Sequence, residues 1–371
     1  MIDKIKEKCP NISDDCLATL QKHCPSLDQN CLDSLTQMDY YLVGRENFNL
    51  SIDEVEQIKK CMQCGGNTNA DKPKKQIIGT TKYGEEGYLE LLYYILNYGE
   101  FRGNRTGVNT RSVFHSSLAF DLEKGFPALT TKKLFWNGVI GELLWFLSGK
   151  NDLNSLRKFT YGEDLGQKTI WDIDFSRWNS ARNRDNNESG GNIYGVQWRR
   201  FSSAYANGIY TDQIRDLLEE AKINPTSRRL VLNAWNSADI KNDNMALPPC
   251  HMAFQLYIEN GHVNLKWTQR SVDCFLGLPF NIASYAMLTH IFAHWLDLKV
   301  GWLVADLTNV HIYESHVDAV KEQLNREPLQ LCEAPIIPKG FTLEKINSFT
   351  AKDFPLIDYQ SHPRISAPME G

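Results

Sequence analysis

A turn pair, Asn260-Gly261, separates two apolar segments and predicts a β-hairpin in the second half of the chain. The segments cover residues 253–258 and 263–267. Asn-Gly suits a two-residue turn because both of its positions require a positive φ. If these residues form the turn, counting outward from it fixes every pair along the hairpin, including the pairs at its open end.

The predicted register places Cys250 opposite Ser271 and His251 opposite Arg270. A guanidinium and a hydroxyl beside a thiol favour the thiolate and bind an anion at the same place. Free cysteine is more often a small buried side chain, so Cys250 by itself would be interpreted as structural. Its predicted neighbours make it a candidate nucleophile instead.

The composition is typical of a globular chain that binds neither nucleic acid nor membranes. The 371 residues, 42% of them hydrophobic, allow one large domain with an appendage or two ordinary domains. The net charge is −5, long basic runs are lacking, and apolar stretches fall short of the roughly 20 residues that a membrane helix needs. The first eight residues are charged rather than apolar, so we expect an intracellular, cytoplasmic protein.

Residues 1–66 are predicted to form a small, Cys-rich helical segment. A motif that begins at Cys9-Pro10 returns from Cys24-Pro25, and each copy predicts a short amphipathic helix with cysteines on one face. A further helix is expected over 51–61. The repeats are also compatible with an interaction module that binds an unknown protein.

Six of the nine cysteines lie in this segment, which ends in the pair Cys61 and Cys64. Cys24, Cys31 or His23 could complete a zinc site, but a second CxxC or paired histidines at finger spacing are missing. Zinc, an interhelix disulfide and packed reduced thiols therefore stay open, with reduced thiols favoured.

A linker is predicted over 67–84 and a main domain over 85–371. Helices and strands alternate without a regular βαβ rhythm, which favours an α+β fold with a mixed sheet and packed helices. The expected helices cover 88–96, 139–147, a segment capped by Thr211 that runs to about 221, and an apolar 281–296. A strand is expected over 229–235 and an exposed loop over 181–191.

The order of short motifs between Glu85 and Pro368 resembles the thymidylate synthase family, and the resemblance implies that family's α+β fold. The motifs are, in chain order, Asn104-Arg105-Thr106-Gly107, Leu129-Thr130-Thr131-Lys132, Gly141-Glu142-Leu143-Leu144-Trp145, Ile170-Trp171-Asp172, Tyr194-Gly195, Ser227-Arg228-Arg229, Pro248-Pro249-Cys250-His251, Gln269-Arg270-Ser271-Val272-Asp273 and His311-Ile312-Tyr313.

The resemblance implies a nucleophilic mechanism. Cys250 would add to carbon 6 of a pyrimidine, with Arg270 lowering the pKa of the thiol. Glu142 would move protons through water, although a salt-bridged structural glutamate is the alternative for a carboxylate in an apolar helix. The residues with implied catalytic roles are Cys250, Glu142, Arg270, Tyr194, His251 and Asp273.

The resemblance also implies a site for dUMP. Arginines would hold the phosphate, His311 and Tyr313 the ribose, and Asn281 the base, since a carboxamide matches the N3 hydrogen and O4 oxygen of uracil. Arg228 and Arg229 would come from the other subunit of an obligate homodimer; alone, such a pair suggests solvated surface. The implied dUMP residues are Arg105, Arg228, Arg229, Gln269, Arg270, Ser271, Asp273, Asn281, His311 and Tyr313.

The implied co-substrate is 5,10-methylenetetrahydrofolate, and the resemblance implies no metal. Taken individually, Ile170 and Leu247 would be assigned to the core. The implied folate residues are Lys132, Ile170, Trp171, Leu247, Asp273, Gly277 and Phe280.

Three departures from the family pattern keep a hydroxymethylase acting on dUMP, or less favourably dCMP, as an alternative. They are the sequence at 305–310, Phe135 and Asn137 in place of basic residues, and the ending 368–371. Retention of Trp171 favours the methyl product. A protein that only binds nucleotide or a partner is disfavoured, because Cys250 and Glu142 are both present.

Overall fold

The computed structural model describes residues 77–163, 166–185, 189–202 and 209–370. The predicted Cys-rich segment 1–66, with its helical repeats and CxxC pair, lies outside the described residues. So does the predicted linker up to residue 76. The remaining linker residues include a short strand, Ile77–Gly79, and the first helix begins at Gly84.

A mixed β-sheet forms the centre of the fold, as predicted. Its path runs β1-β3-β10-β8-β7-β6, with β2 beside β3 and β9 beside β10, while β4 and β5 form a separate pair. The pairs β1/β3 and β10/β8 are parallel, and β3/β10, β8/β7 and β7/β6 are antiparallel. The strands are β1 Ile77–Gly79, β2 Glu100–Arg102, β3 Thr110–Asp121, β4 Phe201–Ser202, β5 Tyr210–Thr211, β6 Val231–Asn233, β7 His251–Glu259, β8 His262–Gln269, β9 Val272–Asp273 and β10 Lys299–Tyr313.

Helices pack on this sheet and on one another. The central one, α8, is apolar on nearly every side and packs against β8, β9, β10 and α2, which explains its burial. The helices are α1 Gly84–Tyr98, α2 Trp136–Ser148, α3 Leu153–Tyr161, α4 Asp172–Ser180, α5 Tyr194–Arg199, α6 Gln213–Ile223, α7 Ser237–Lys241, α8 Gly277–Leu296 and α9 Val317–Leu324. The helices expected over 88–96, 139–147 and 281–296 lie within α1, α2 and α8.

The two faces of the sheet differ in burial. Leu265 on β8 and Leu303 on β10 are buried, whereas their neighbours Lys266 and Trp302 are exposed on the opposite face. This alternation is what a strand with one side in the core requires. One face of the sheet is therefore accessible in the single chain.

The predicted hairpin register is confirmed from the turn as far as the pair Ala253↔Thr268, but it is wrong at the open end. Met252 is an extra residue on β7, so His251 pairs with Gln269. The Arg270 amide donates to the Cys250 carbonyl at 2.9 Å, which puts Arg270 rather than Ser271 beside the cysteine.

A contact with a third strand accounts for this bulge. The carbonyl of Met252 accepts a 2.6 Å hydrogen bond from the amide of Ala234, just beyond β6. The extra residue is thus paired outwards, away from β8. The bulge depends on an edge that the hairpin sequence alone does not contain.

Two other predicted boundaries need correction. Asp212, not Thr211, caps α6: its side chain accepts from the Arg215 amide, and Thr211 belongs to β5. Aspartate at the residue nearer the helix is the stronger cap. The strand expected over 229–235 is shorter, because the Asn233 side chain accepts the Trp235 amide and turns the chain.

The hairpin turn provides a test of the register. Gly261 has φ +75° and open space around it, so Gly261→Ala is expected to lower the free energy of unfolding by about 1 kcal/mol through backbone strain. Gly79→Ala is the matched control, because Gly79 also has open space but lacks a positive φ. Urea titration followed by tryptophan fluorescence measures both variants; equal effects would contradict the turn assignment.

Candidate active site

The candidate nucleophile, Cys250, lies where β7 begins and β8 ends. Arg270 is held there by backbone carbonyls: its Nε donates to the Pro249 oxygen at 2.8 Å and its Nη2 to the Pro248 oxygen at 3.0 Å. The same Nη2 lies 3.8 Å from the Sγ of Cys250. Since the carbonyls immediately precede the cysteine, guanidinium and thiol are fixed relative to each other.

The thiol environment differs from the sequence expectation. Burial raises the pKa of Cys250 above its ordinary value, and this outweighs the lowering effects of Arg270 and of the hydrogen bond with Tyr194. The charge of Arg270 therefore lowers the pKa of the thiol, as predicted, but burial raises it by more. The resting thiol is protonated at neutral pH, and its activation requires a proton acceptor.

A second titratable group, Glu142, lies on α2. The indole Nε1 of Trp171 donates to its Oε1 at 2.6 Å. Burial raises the pKa of the Glu142 carboxyl to about 7, against the lowering effect of that hydrogen bond. A carboxyl with a pKa near neutrality can both accept and release a proton under physiological conditions.

Tyr194 and His251 stack beside the nucleophile. The hydroxyl of Tyr194 accepts the Cys250 amide at 2.7 Å, and its ring stacks on His251 with centroids 4.2 Å apart. Burial lowers the pKa of His251 to about 3, so this imidazole is neutral. Its Nδ1 lies 2.9 Å from the hydroxyl of Tyr285, a residue that the sequence analysis missed. The available signal was its position on α8, one turn after Asn281.

The proposed base-binding residue, Asn281, is already oriented by a neighbour. Gln269 donates from its Nε2 to the Asn281 Oδ1 at 3.1 Å. The Nδ2 of Asn281 makes no hydrogen bond to the described residues, which leaves a donor available beside an oxygen with a remaining lone pair.

Asn309 connects Ser271 with His311. Its Nδ2 donates to the Ser271 hydroxyl at 3.2 Å, and its carbonyl lies 2.8 Å from the Nδ1 of His311. Asn309 has φ +49°, a conformation that asparagine tolerates better than most residues. Tyr313 packs edge-on against His311, with ring centroids 5.2 Å apart. The residues predicted for phosphate and ribose thus meet along β10.

Asp273 is held by the backbone and by a buried histidine. Its Oδ1 accepts the amides of Phe275 at 2.9 Å and Leu276 at 3.2 Å, and it lies 3.7 Å from the Nδ1 of His316. Although burial raises the pKa of Asp273, the nearby His316 and His311 imidazoles and the backbone amide of Leu276 hold it below its ordinary value. The carboxylate is ionised, and the sequence analysis missed His316.

The chain end docks on the same histidine. The Nε2 of His316 lies 2.8 Å from the Pro368 carbonyl, and Ser315 donates to a carboxylate oxygen of Glu370 at 2.8 Å. Residues 368–370, in the ending that departs from the family pattern, are therefore anchored close to Asp273.

The predicted folate residues differ in how deeply they are buried. Lys132 is buried, donates to the Phe275 carbonyl and lies 3.6 Å from the centre of that ring, and burial lowers its pKa to about 7. Trp171 is buried, whereas Ile170 is 58% exposed, so the core assignment for Ile170 is wrong. Leu247, Gly277 and Phe280 are half-buried.

Arg228 and Arg229 are not near Cys250 in the same chain. The Leu230 carbonyl accepts the Leu256 amide at 2.9 Å, so Arg229 lies level with Tyr257. Tyr257 lies seven positions beyond the cysteine, about 23 Å along a strand. Both arginines are exposed.

Arg105 behaves differently from that pair. It is exposed on the loop between β2 and β3, and its positive charge lowers the pKa of the Cys250 thiol. It therefore lies within electrostatic reach of the nucleophile.

Neither a metal-binding cluster nor a membrane-spanning helix is present in the part of the chain that the structure describes. That part has no group of three His, Cys, Asp or Glu side chains arranged to hold a metal ion. The zinc hypothesis for the N-terminal cysteines lies outside it. Every helix there is too short or too polar to cross a bilayer.

The chain is similar to known proteins of one family. The family model described as thymidylate synthase matches residues 86–370. A probable thymidylate synthase of Escherichia phage T5 is 47% identical over 285 residues, covering 76% of this chain and 98% of its own. The thymidylate synthase of Coxiella burnetii is 43% identical over 282 residues, with the same coverage.

A solved structure gives the same result. The crystal structure of thymidylate synthase from phage T4 superposes with a TM-score of 0.70 at 43% sequence identity, covering 76% of this chain and 99% of its own. The chain therefore belongs to the thymidylate synthase family, as the sequence predicted. Its enzymatic class is methyltransferase.

The raised pKa of Glu142 predicts a pH-dependent stability. Its folded-state value of about 7 exceeds the ordinary 4.5, so the stability it contributes is complete below pH 4.5 and is lost as the pH rises through 7. Glu142→Gln keeps an acceptor for Trp171 but removes the titration. From pH 5 to pH 8.5 the free energy of unfolding of the variant should rise by about 2 kcal/mol relative to that of the parent, a figure that allows for partial solvent screening of Glu142.

Urea titrations at both pH values measure this difference. Glu219→Gln, on the exposed side of α6, is the control and should show no comparable gain. A gain for Glu142→Gln that does not depend on pH would contradict the assigned titration.

Proposed function

We propose that this enzyme converts dUMP to dTMP through a covalent adduct between Cys250 and the uracil ring. The observation that carries the proposal is the contact of the Cys250 thiol with the Arg270 guanidinium. Tyr194, which accepts the Cys250 amide, lies within electrostatic reach of Glu142, whose pKa is about 7. Methyltransfer to a pyrimidine carbon needs that carbon to be made nucleophilic, and addition of a thiolate at carbon 6 achieves this at carbon 5.

The chain's own residues account for the proton movements. Cys250 gives its proton to the water near Glu142 as its sulfur bonds to carbon 6, and Arg270 stabilises the thiolate. Carbon 5 then bonds to the one-carbon unit of the co-substrate. A base then removes the hydrogen of carbon 5, and Glu142, acting through water, has the pKa for that task. The neutral His251 and Tyr194 order this water. When the sulfur leaves carbon 6, the enzyme returns to its starting state.

The residues present fit 5,10-methylenetetrahydrofolate as co-substrate. When bound, it supplies a one-carbon unit and a hydride and is released as dihydrofolate. Exposed Ile170 with half-buried Leu247 and Phe280 offers an apolar surface for its rings. The ionised Asp273 can accept hydrogen bonds from a pterin, and Lys132, held at the Phe275 carbonyl, is an amine whose pKa of about 7 lets it carry a proton.

Base selection is assigned to Asn281. Its Oδ1 can accept the N3 hydrogen of uracil, and its free Nδ2 can donate to the O4 oxygen. Cytosine presents the opposite pattern. We assign Gln269 to the support of this amide, Ser271 and Arg105 to the phosphate, and the residues His311 and Tyr313 to the ribose.

We further propose that the enzyme works as a homodimer in which Arg228 and Arg229 reach the partner's active site. The distance along β7 argues against their use in their own chain, and their exposure suits a partner's anionic ligand. The accessible face of the sheet supplies a surface through which two copies can associate.

The methyl product is favoured over hydroxymethyl. The relatives compared carry the name thymidylate synthase, and Trp171 is buried and fixed to Glu142, where it shields the reacting carbon from water. A protein that only binds nucleotide is disfavoured, because the thiol and its supporting groups are assembled.

Residues 85–371 are proposed as the cytoplasmic catalytic domain, with 1–66 as an appendage and 67–84 as a linker.

The reaction is tested with purified protein, dUMP and 5,10-methylenetetrahydrofolate. Absorbance at the dihydrofolate band is expected to rise with formation of dTMP. Deleting residues 1–66 should leave this rate within about twofold, since the assigned site lies wholly in 85–371. Production of 5-hydroxymethyl-dUMP without dihydrofolate would overturn the methyltransfer.

Replacing the nucleophile separates chemistry from binding. Cys250→Ser should lower kcat by at least about a thousandfold, because a hydroxyl is a far weaker nucleophile than a thiolate. The Kd for dUMP should stay within a few-fold, which calorimetry measures. Cys332→Ser, a buried cysteine on another part of the fold, is the control. Full activity in Cys250→Ser would reject the assigned nucleophile.

Subunit mixing tests the shared site. Cys250→Ser and the double variant Arg228→Ala with Arg229→Ala should each be nearly inactive as pure dimers. After unfolding and refolding together, about a quarter of wild-type activity should return, because half of the dimers are mixed and each of those has one complete site. No recovery in a mixture shown to contain mixed dimers would place the arginines in their own chain's site.

A further inference from the structure

A buried indole lies behind the residue assigned to base selection. Trp267, on β8, is completely buried, and its Nε1 donates to the Oε1 of Gln269 at 3.2 Å. The Nε2 of Gln269 donates in turn to the Ser271 carbonyl and to the Asn281 Oδ1, each at 3.1 Å. Three side chains thus form one directed series of hydrogen bonds that ends at Asn281.

The direction of this series is fixed at its start. An amide can exchange its oxygen and nitrogen by a half turn, whereas an indole N–H can only donate. Trp267 therefore requires the oxygen of Gln269 to face it, and the Ser271 carbonyl requires the nitrogen on the other side. With Gln269 so held, the oxygen of Asn281 must face Gln269, and its nitrogen is directed elsewhere.

The same indole also supports the residues beside the nucleophile. Its ring stacks on Tyr285, with centroids 5.0 Å apart and planes 3° from parallel. Tyr285 in turn holds the neutral His251 through its hydroxyl. The N–H and the ring face of Trp267 thus serve two different neighbours, and a phenylalanine would remove the first contact while keeping the second.

We propose that Trp267 is a positioning residue that sets the preference of the enzyme for uracil over cytosine by fixing the orientation of the Gln269 and Asn281 amides. The inference rests on the proposed role of Asn281 at the base. With the amide in its present orientation, Asn281 matches uracil. With the amide turned over, it matches cytosine.

The test compares the Kd of dUMP with the Kd of dCMP by calorimetry. Trp267→Phe should lower the ratio of the dCMP Kd to the dUMP Kd by about fivefold, which corresponds to the loss of one neutral hydrogen bond. The kcat with dUMP should change less than the ratio, because the ring on Tyr285 is retained. Trp178→Phe is the control: Trp178 is also buried, but its indole N–H has no hydrogen-bond partner among the described residues, so the ratio should not move.

A second variant keeps the proposal testable if Trp267→Phe does not fold. Gln269→Glu leaves Trp267 a good acceptor but removes the donor to Asn281, so the Asn281 amide should turn its nitrogen inwards. The preference should then shift towards dCMP by at least about tenfold.

Three outcomes decide between the assignments. The role of Trp267 would be overturned if the ratio of the dCMP Kd to the dUMP Kd stayed within twofold of wild type in Trp267→Phe and in Gln269→Glu. It would also be overturned if these variants bound both nucleotides more weakly by the same factor. Wild-type protein that binds dUMP and dCMP equally would overturn the role of Asn281 instead. A narrowed ratio in Trp267→Phe with an unchanged ratio in Trp178→Phe supports the proposal.

Discussion

The hydrogen bonds from Arg270 to two proline carbonyls are the constraint on which the rest of the site depends. They place a guanidinium against the Cys250 sulfur without using a carboxylate, so the positive charge is oriented but not neutralised. The bulge at Met252 makes this possible, since it shifts the strand pairing by one position and puts Arg270, just beyond β8, level with the cysteine. A backbone irregularity, stabilised by the neighbouring strand, thus determines which charge the nucleophile meets.

Burial sets the protonation states around that contact. It keeps His251 neutral, raises the pKa of Glu142 to about 7, lowers the pKa of Lys132 to about 7 and raises that of the Cys250 thiol. Asp273 is the exception, because His316 and backbone amides lower its pKa by more than burial raises it. The site thus holds one ionised carboxylate, Asp273, and two groups with pKa values near 7, Glu142 and Lys132. This combination is suited to moving protons while a charged co-substrate is bound.

Sequence reasoning succeeded where local rules decide the structure. The Asn260-Gly261 turn fixed the hairpin as far as Ala253, and apolar periodicity located α1, α2 and α8. It failed where a third element intervenes. The β6 contact that creates the bulge lies outside the hairpin, and the exposure of Ile170 depends on how its loop is placed. Residues such as Tyr285 and Trp267 resemble ordinary core in the sequence, because they act on the site through other side chains.

The docking of the chain end on His316 has a practical meaning for work on this enzyme. One imidazole contacts both the Pro368 carbonyl and Asp273, which is assigned to the folate. A C-terminal affinity tag or fluorescent fusion would follow closely on residues 368–370, so it would disturb the Asp273 carboxylate as well as the docked segment. An N-terminal tag keeps the extra residues on the other end of the polypeptide.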